Sequence, residues 1–193
     1  DLGSGDGRNI IAAAKRGARG VGVEFNPDMV ALSQRLASEA GVADKATFVQ
    51  GDMYEADISK ATVLALFLLP ENLNKLVPKF LALKPGARIV GNTFAPDGWT
   101  PDASERVEQD CAKWCMALLW IVPANVEGTW QLPVGELSLQ QTFQMITGKM
   151  TSGTSVEEIG VNLKDMMGNM FQGRSKTRRM KVPEALDHLL GVV

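Results

Sequence analysis

Short apolar runs alternate with longer amphipathic stretches through the first hundred residues. Residues 20–24 (Gly-Val-Gly-Val-Glu) and 46–50 read as short strands, and residues 62–69 form a nearly continuous apolar run. A run of that kind suits a strand covered on both faces. Residues 87–94 form a further strand. Between these lie three helical stretches. Residues 9–16 are alanine-rich and are closed by Gly17. Residues 27–40 begin with Pro27 behind Asn26, a good N-cap, and stop at Gly41. Residues 71–83 look helical despite Pro78, and a Lys84-Pro85-Gly86 turn follows them. Strands alternating with helices of this length predict an α/β fold: a parallel sheet with helices on both faces.

The second half has a different rhythm and is expected to be β-rich. Residues 102–115 read as a helix, and 118–126 and 129–132 as strands. Residues 138–146 partly alternate polar and apolar side chains, which predicts a strand paired antiparallel across a turn at 133–136. From Thr151 the pattern fades, with a short helix expected at 183–190. The organisation predicted is one domain over residues 1–150 and a weakly patterned tail over 151–193.

Composition narrows the picture modestly. Of the 193 residues 45% are hydrophobic, enough for a real core without disulfides. The net charge of −2 sets up no field toward nucleic acid or anionic lipid. The longest apolar stretch, 115–124, is too short to span a bilayer, and no signal peptide is visible. A cytoplasmic location is expected. Cys111 and Cys115, four apart in the stretch read as a helix, are expected to be buried free thiols. The single histidine, His188, lies far from them, so no metal site is expected. Arg174, Lys176, Arg178, Arg179 and Lys181 crowd a short stretch with no aromatic platform. That suits a solvated tail better than a nucleic-acid surface.

The strongest chemical signal is Asp1-Leu2-Gly3-Ser4-Gly5-Asp6-Gly7, followed by a strand ending in Glu24. Glycines allow a sharp turn and close approach of backbone to ligand. The helix behind them offers free N–H groups, and an acid closing the second strand can accept both hydroxyls of a ribose. A dinucleotide fingerprint spaces its glycines more widely, as Gly-x-Gly-x-x-Gly. Each acid also has a plainer role: Asp1 at the surface, Glu24 capping the next helix, Asp52 bracing the turn after Gly51.

This tighter loop resembles motif I of the class I methyltransferases, which bind S-adenosylmethionine. The resemblance implies a Rossmann-like sheet. It also implies cofactor-binding roles for Asp1, Gly3, Ser4, Gly5, Gly7, Glu24, Phe25, Asp52 and Met53. Glu24 would hold the ribose, Asp52 would lie near the adenine amino group, and Met53 would pack on the adenine face. Leu83-Lys84-Pro85-Gly86 before a strand is also common in that family. The runs "DLGSGDGR" and Gly22-Val23-Glu24-Phe25-Asn26-Pro27 narrow the match, as do Leu68-Leu69-Pro70-Glu71, Trp120–Ala124 and Gly128-Thr129-Trp130. They look like the group containing the mitochondrial lysine methyltransferases of the ATP synthase c ring protein and similar bacterial proteins. The likeness covers about residues 1–145. The family's first strand lies mid-sheet, and nearly all of it should precede Asp1. Without upstream residues, its two neighbours would have exposed backbone edges prone to association.

The resemblance implies direct methyl transfer, in which the enzyme chiefly aligns the acceptor with the reacting carbon. A protein lysine amine is the leading acceptor. Small-molecule or RNA methylation on the same scaffold, and a non-catalytic partner-binding module, are the alternatives. No Asn/Asp-Pro-Pro-aromatic motif is present, which speaks against planar base nitrogens. Tyr54 and Glu71 are the candidates for catalytic work; packing over the sheet rim and starting a helix are their plainer roles. Leu69, Pro70, Asn92 and Trp99 are placed on the substrate side, with Asp97 nearby. For Trp99, packing against Trp114 or Trp120 is the plainer reading. The other tryptophans read as core.

Overall fold

The computed structural model describes residues 1–108, 111–152 and 155–162. His188, the basic cluster at 174–181 and the short helix expected at 183–190 lie outside them. The chain forms two compact units, Asp1–Val122 and Pro123–Val193.

The first unit is the expected α/β sheet. Its strands are β1 (Gly20–Glu24), β2 (Ala46–Gln50), β3 (Val63–Leu66), β4 (Arg88–Asn92), β5 (Ala103–Arg106) and β6 (Met116–Ile121). β1 pairs parallel with β2, and β3 parallel with β4. Between the pairs lies a single residue, Leu2, bridging Val23 on one side and Leu66 on the other, both parallel. It is 1% exposed. The Val23 N–H donates to the Asp1 carbonyl (2.9 Å), and the Gly3 and Ser4 N–H groups donate to the Val23 carbonyl (2.8 and 3.0 Å). The end of the mid-sheet strand expected from sequence is therefore in place.

The three helices are α1 (Arg8–Lys15), α2 (Pro27–Glu39) and α3 (Pro70–Leu81). From Leu2 the chain winds outward one way through α1, β1, α2 and β2. It winds the other way from β3 through α3 to β4. Right-handed crossovers in opposite directions put α1 and α2 on one face and α3 on the other. The register agrees. Gly20, Gly22, Ala46 and Phe48 share the face that α1 and α2 cover, and Ile10, Ile11, Ala14, Val30 and Ala37 fill the core with Ala46 and Phe48. Leu64, Ile89 and Trp120 share the other face, and α3 buries Leu73, Leu76 and Phe80 along one stripe. The point where the winding reverses is where such sheets bind ligands, beyond the strands' carboxyl ends.

Asn26 caps α2 as expected: its side-chain oxygen accepts from the Asp28 N–H at 2.9 Å, with Pro27 at the first helical position. Asn26→Ala is expected to cost about 1 kcal/mol. In a thermal melt followed by circular dichroism it should lower the midpoint by about 2–4 °C.

Three expectations are corrected. Among the described residues of 102–115 there is no helix. Ala103–Arg106 is an edge strand antiparallel to β6, and Asp102 accepts from the Ile121 N–H at 2.7 Å. Completing the sheet edge outweighs the helix propensity of Ala-Ser-Glu-Arg. Nor are Cys111 and Cys115 free thiols: they form a disulfide, with Cα atoms 5.8 Å apart. With no helix to separate them, the loop brings the sulfurs together. The strand expected at 138–146 is broken by a turn at Phe143, whose φ is 54°.

The second unit is an antiparallel meander of β7 (Gly128–Leu132), β8 (Gly135–Thr142), β9 (Met145–Ser152) and β10 (Ser155–Asn162), in that spatial order. β7 and β8 pair across residues 133–134, as the turn signal predicted. Among the described residues no helix is long and apolar enough to cross a membrane.

Candidate active site

The glycine loop leaves the sheet at Leu2 and delivers the chain to α1. Gly3, Gly5 and Gly7 have φ of 68°, 54° and 77°, a region that residues with a Cβ disfavour. Gly7 is also confined by its neighbours. A Cβ there would lie 2.5 Å from Phe48 Cζ and 2.8 Å from Ser33 Cβ. Gly22 on β1 meets the same ring, at 2.6 Å, as well as Ser4 Oγ. Phe48 thus fills the hollow beneath the loop and fixes its depth. Ser4 is buried against Gly22, so its side chain packs under the loop instead of facing solvent. Asp1 accepts from Asn9 Nδ2 at 3.0 Å, tying the strand end to the first turn of α1. Arg8 pairs with Asp6 at 2.6 Å, and its hydrogen bonds hold the Asp6 carboxyl below the usual range.

Glu24 connects the loop to the strand end. Its Oε2 accepts from the Gly5 N–H at 2.9 Å and its Oε1 from the Asn26 N–H at 3.0 Å. A carboxylate has about four acceptor positions, so two remain for a ligand's hydroxyls. Phe25, beside it, is 76% exposed. Beyond β2, Asp52 Oδ1 accepts from the Tyr54 N–H at 2.8 Å, and Asp52 is otherwise exposed. Met53 is half-buried next to it.

Helix α3 clasps this acidic turn. The Tyr54 hydroxyl donates to Asn72 Oδ1 at 2.9 Å, Lys75 Nζ lies 5.7 Å from the Tyr54 ring centroid, and Lys79 Nζ donates to the carbonyls of Tyr54 (2.5 Å) and Ala56 (2.6 Å). Asn72, Lys75 and Lys79 were not singled out from sequence. Their spacing of i, i+3, i+7 sets them along one face of the helix, and that spacing is the signal by which the sequence could have shown them.

On the acceptor side, Leu69, Pro70 and Glu71 are exposed at the start of α3. Asn92 ends β4 and accepts from the Thr93 hydroxyl at 2.8 Å. Asp97 is fixed to α3 by two hydrogen bonds of 2.7 Å to the Asn74 amide. The substrate-side placement of Trp99 is corrected and its plainer reading holds: it is 2% exposed and packs on Trp120, whose indole N–H donates to the Trp99 carbonyl at 2.9 Å. A ring so enclosed presents no face to a substrate. Trp114 is corrected in the opposite sense, since it is half-exposed instead of core.

A glycine cradle at the switch point, a carboxylate with two spare acceptor positions and a second acid beyond the next strand fit S-adenosylmethionine. Fold and site define a class I S-adenosylmethionine-dependent methyltransferase. A solved structure of an RNA methyltransferase from Salinibacter ruber, in complex with S-adenosyl-L-homocysteine, is similar: 47% sequence identity, TM-score 0.59, covering 65% of this chain and 80% of that one. The chain belongs to the family of the ANTKMT methyltransferase domain, whose model matches residues 1–103. It is 42% identical over 111 residues to a protein-lysine N-methyltransferase of Saccharolobus islandicus, covering 56% of this chain and 69% of that relative. It is 36% identical over 105 residues to the adenine nucleotide translocase lysine N-methyltransferase of Mus musculus, covering 53% of this chain. The chain spans 46% of that mouse relative's length.

Proposed function

We propose that this chain transfers the methyl group of S-adenosylmethionine to the side-chain amine of a protein lysine. One observation carries the reading. The stretch matched by the family model, residues 1–103, contains the glycine loop, Glu24, Asp52 and the Leu69–Glu71 segment together. The lysine acceptor is supported by the activities for which the Saccharolobus islandicus and mouse relatives are named.

The cofactor supplies an electrophilic methyl on a sulfonium that leaves readily. The work left to the protein is positioning. In this reading Gly3 and Gly5 let the backbone approach, Glu24 holds the ribose hydroxyls, and Asp52 and Met53 border the adenine with Phe25 at the outer edge. Gly7, Ser4 and Asp1 set the loop's shape. Across the rim, Leu69, Pro70 and Asn92 border the acceptor side. Glu71 draws the incoming ammonium by charge, and Tyr54, fixed by Asn72, shapes the floor between the two halves.

Only a neutral amine attacks, and an unperturbed lysine has a pKa near 10.4. Raising the pH raises the neutral fraction, by about tenfold per unit well below that value. Methyl transfer from radiolabelled cofactor to lysate protein is therefore expected to speed up from pH 7 to 9, with the label recovered as methyllysine. The identity to the Salinibacter ruber RNA methyltransferase supplies a second reading. Label that survives protease but not nuclease would replace lysine with RNA.

A further inference from the structure

Three aromatic side chains meet beyond the carboxyl ends of β3 and β4. Phe67 follows β3, Phe94 lies two residues beyond β4, and Trp114 precedes β6. β6 runs antiparallel to β4, with Asn92 opposite Ala117, and the Thr93 N–H donates to the Met116 carbonyl at 2.8 Å. The start of β6 therefore lies on the same rim as Glu24 and Asp52. The rings of Phe67 and Phe94 stack at 6.1 Å between centroids, 16° from parallel, and Trp114 leans on Phe67 at 5.4 Å.

This cluster is not ordinary core. Phe67 is 44% exposed and Trp114 53% exposed. Nor is it a relaxed surface. Thr93 and Trp114 have φ of 64° and 57°, a left-handed backbone that residues with a Cβ adopt only when their surroundings impose it. The disulfide between Cys111 and Cys115 closes the loop that carries Trp114. Strain and a covalent link thus hold apolar rings in the open, at the edge of the site. Two carboxylates share that rim. Glu71 lies at the start of α3, four residues after Phe67, and Asp97 follows Phe94 by three; both are exposed.

Aromatic faces attract cations through their quadrupole and give methylenes an apolar surface. Carboxylates beside them add the same preference and repel phosphate. We propose that Phe67, Phe94 and Trp114 form the wall on which the acceptor's alkylammonium side chain lies, with its stem along the rings and its nitrogen drawn by their faces and by Glu71 and Asp97. The inference rests on the lysine reading above and deepens it. Methyl groups spread the charge and weaken its hydration, so this wall holds a methylated ammonium at least as well as an unmethylated one. The partly methylated side chain is thereby retained for a further round.

The test uses the whole chain loaded with S-adenosylhomocysteine, whose binding is measured by calorimetry. The acetylated amide of trimethyllysine and its neutral carbon isostere, with a tert-butyl group in place of trimethylammonium, are titrated by proton NMR. The methyl protons of the cation are expected to move upfield saturably, and those of the isostere to respond several-fold more weakly. Trp114→Ala should weaken the cation by roughly fivefold. It should also raise KM for a lysine peptide while leaving kcat and S-adenosylhomocysteine binding unchanged. Trp114→Phe should retain most of the response. Equal binding of the isostere, or an unchanged response in Trp114→Ala, would overturn the wall alone. Competition by adenosine monophosphate stronger than by the cation would reassign the rings to base stacking. A wild-type chain that is folded but binds no S-adenosylhomocysteine would overturn the functional reading and this inference with it.

Discussion

Glu24→Ala is expected to weaken S-adenosylmethionine binding by at least about a hundredfold, because each charge-assisted hydrogen bond contributes roughly 1.5–3 kcal/mol and about 1.4 kcal/mol is a factor of ten. Two such bonds to the ribose would suffice. The same substitution also releases the Gly5 N–H, and with it the tie between the glycine loop and β1. Glu24→Gln separates the contributions. It can still accept at one oxygen but has no charge, and about a tenfold loss is expected for it. Calorimetry on the two variants and the parent, with melts to confirm folding, gives the comparison. Unchanged affinity in Glu24→Ala would remove this residue from the cofactor site and leave its hydrogen bonds to Gly5 and Asn26 as a loop brace only.

Gly7→Ala is expected to be the most destabilising single methyl group in the loop. Its φ of 77° forces the new Cβ into a left-handed backbone, which costs roughly 1–2 kcal/mol. The methyl would also lie 2.5 Å from Phe48 Cζ and 2.8 Å from Ser33 Cβ. Overpacking of that kind adds about 1–3 kcal/mol. The sum is a large part of the roughly 5–15 kcal/mol that holds a domain folded. A fall in the melting midpoint of about 10 °C is expected. Gly17 provides the control. Its φ is 92°, but a Cβ there meets nothing within 4 Å. Gly17→Ala reports the backbone cost alone, and the difference between the two variants is the steric cost. Equal melting points for the two would mean that the Phe48 ring moves aside freely.

Much of the cofactor half was legible because its signals are local. β1 and β2 fall on the strands read from their apolar runs, and α2 starts at the cap that Asn26 and Pro27 announce. The loop showed itself through its glycines. What escaped depends on partners distant in sequence. Ala103–Arg106 has the composition of a helix and becomes a strand only because β6 needs an edge partner. The turn at Phe143 has no glycine, proline or asparagine to mark it. The disulfide needs a loop conformation that spacing alone did not suggest. Trp99 and Trp114 illustrate the same limit at the site. Both are tryptophans near strand ends; one is enclosed by Trp120 and the other exposed beside Phe67. Local pattern contains nothing that assigns them to opposite environments.

The interlock beneath the glycine loop has a consequence for how this chain can diverge. One ring, Phe48, occupies space that side chains at both Gly7 and Gly22 would need, while Ser33 and Ser4 close the remaining sides. Alanine at position 22 becomes tolerable only where position 48 is smaller and position 4 has lost its hydroxymethyl group. In a combinatorial library over positions 4, 7, 22, 33 and 48, these sites should therefore behave as a single epistatic block. Surviving sequences would change together or not at all, and single-site scans would report an invariance that belongs to the set.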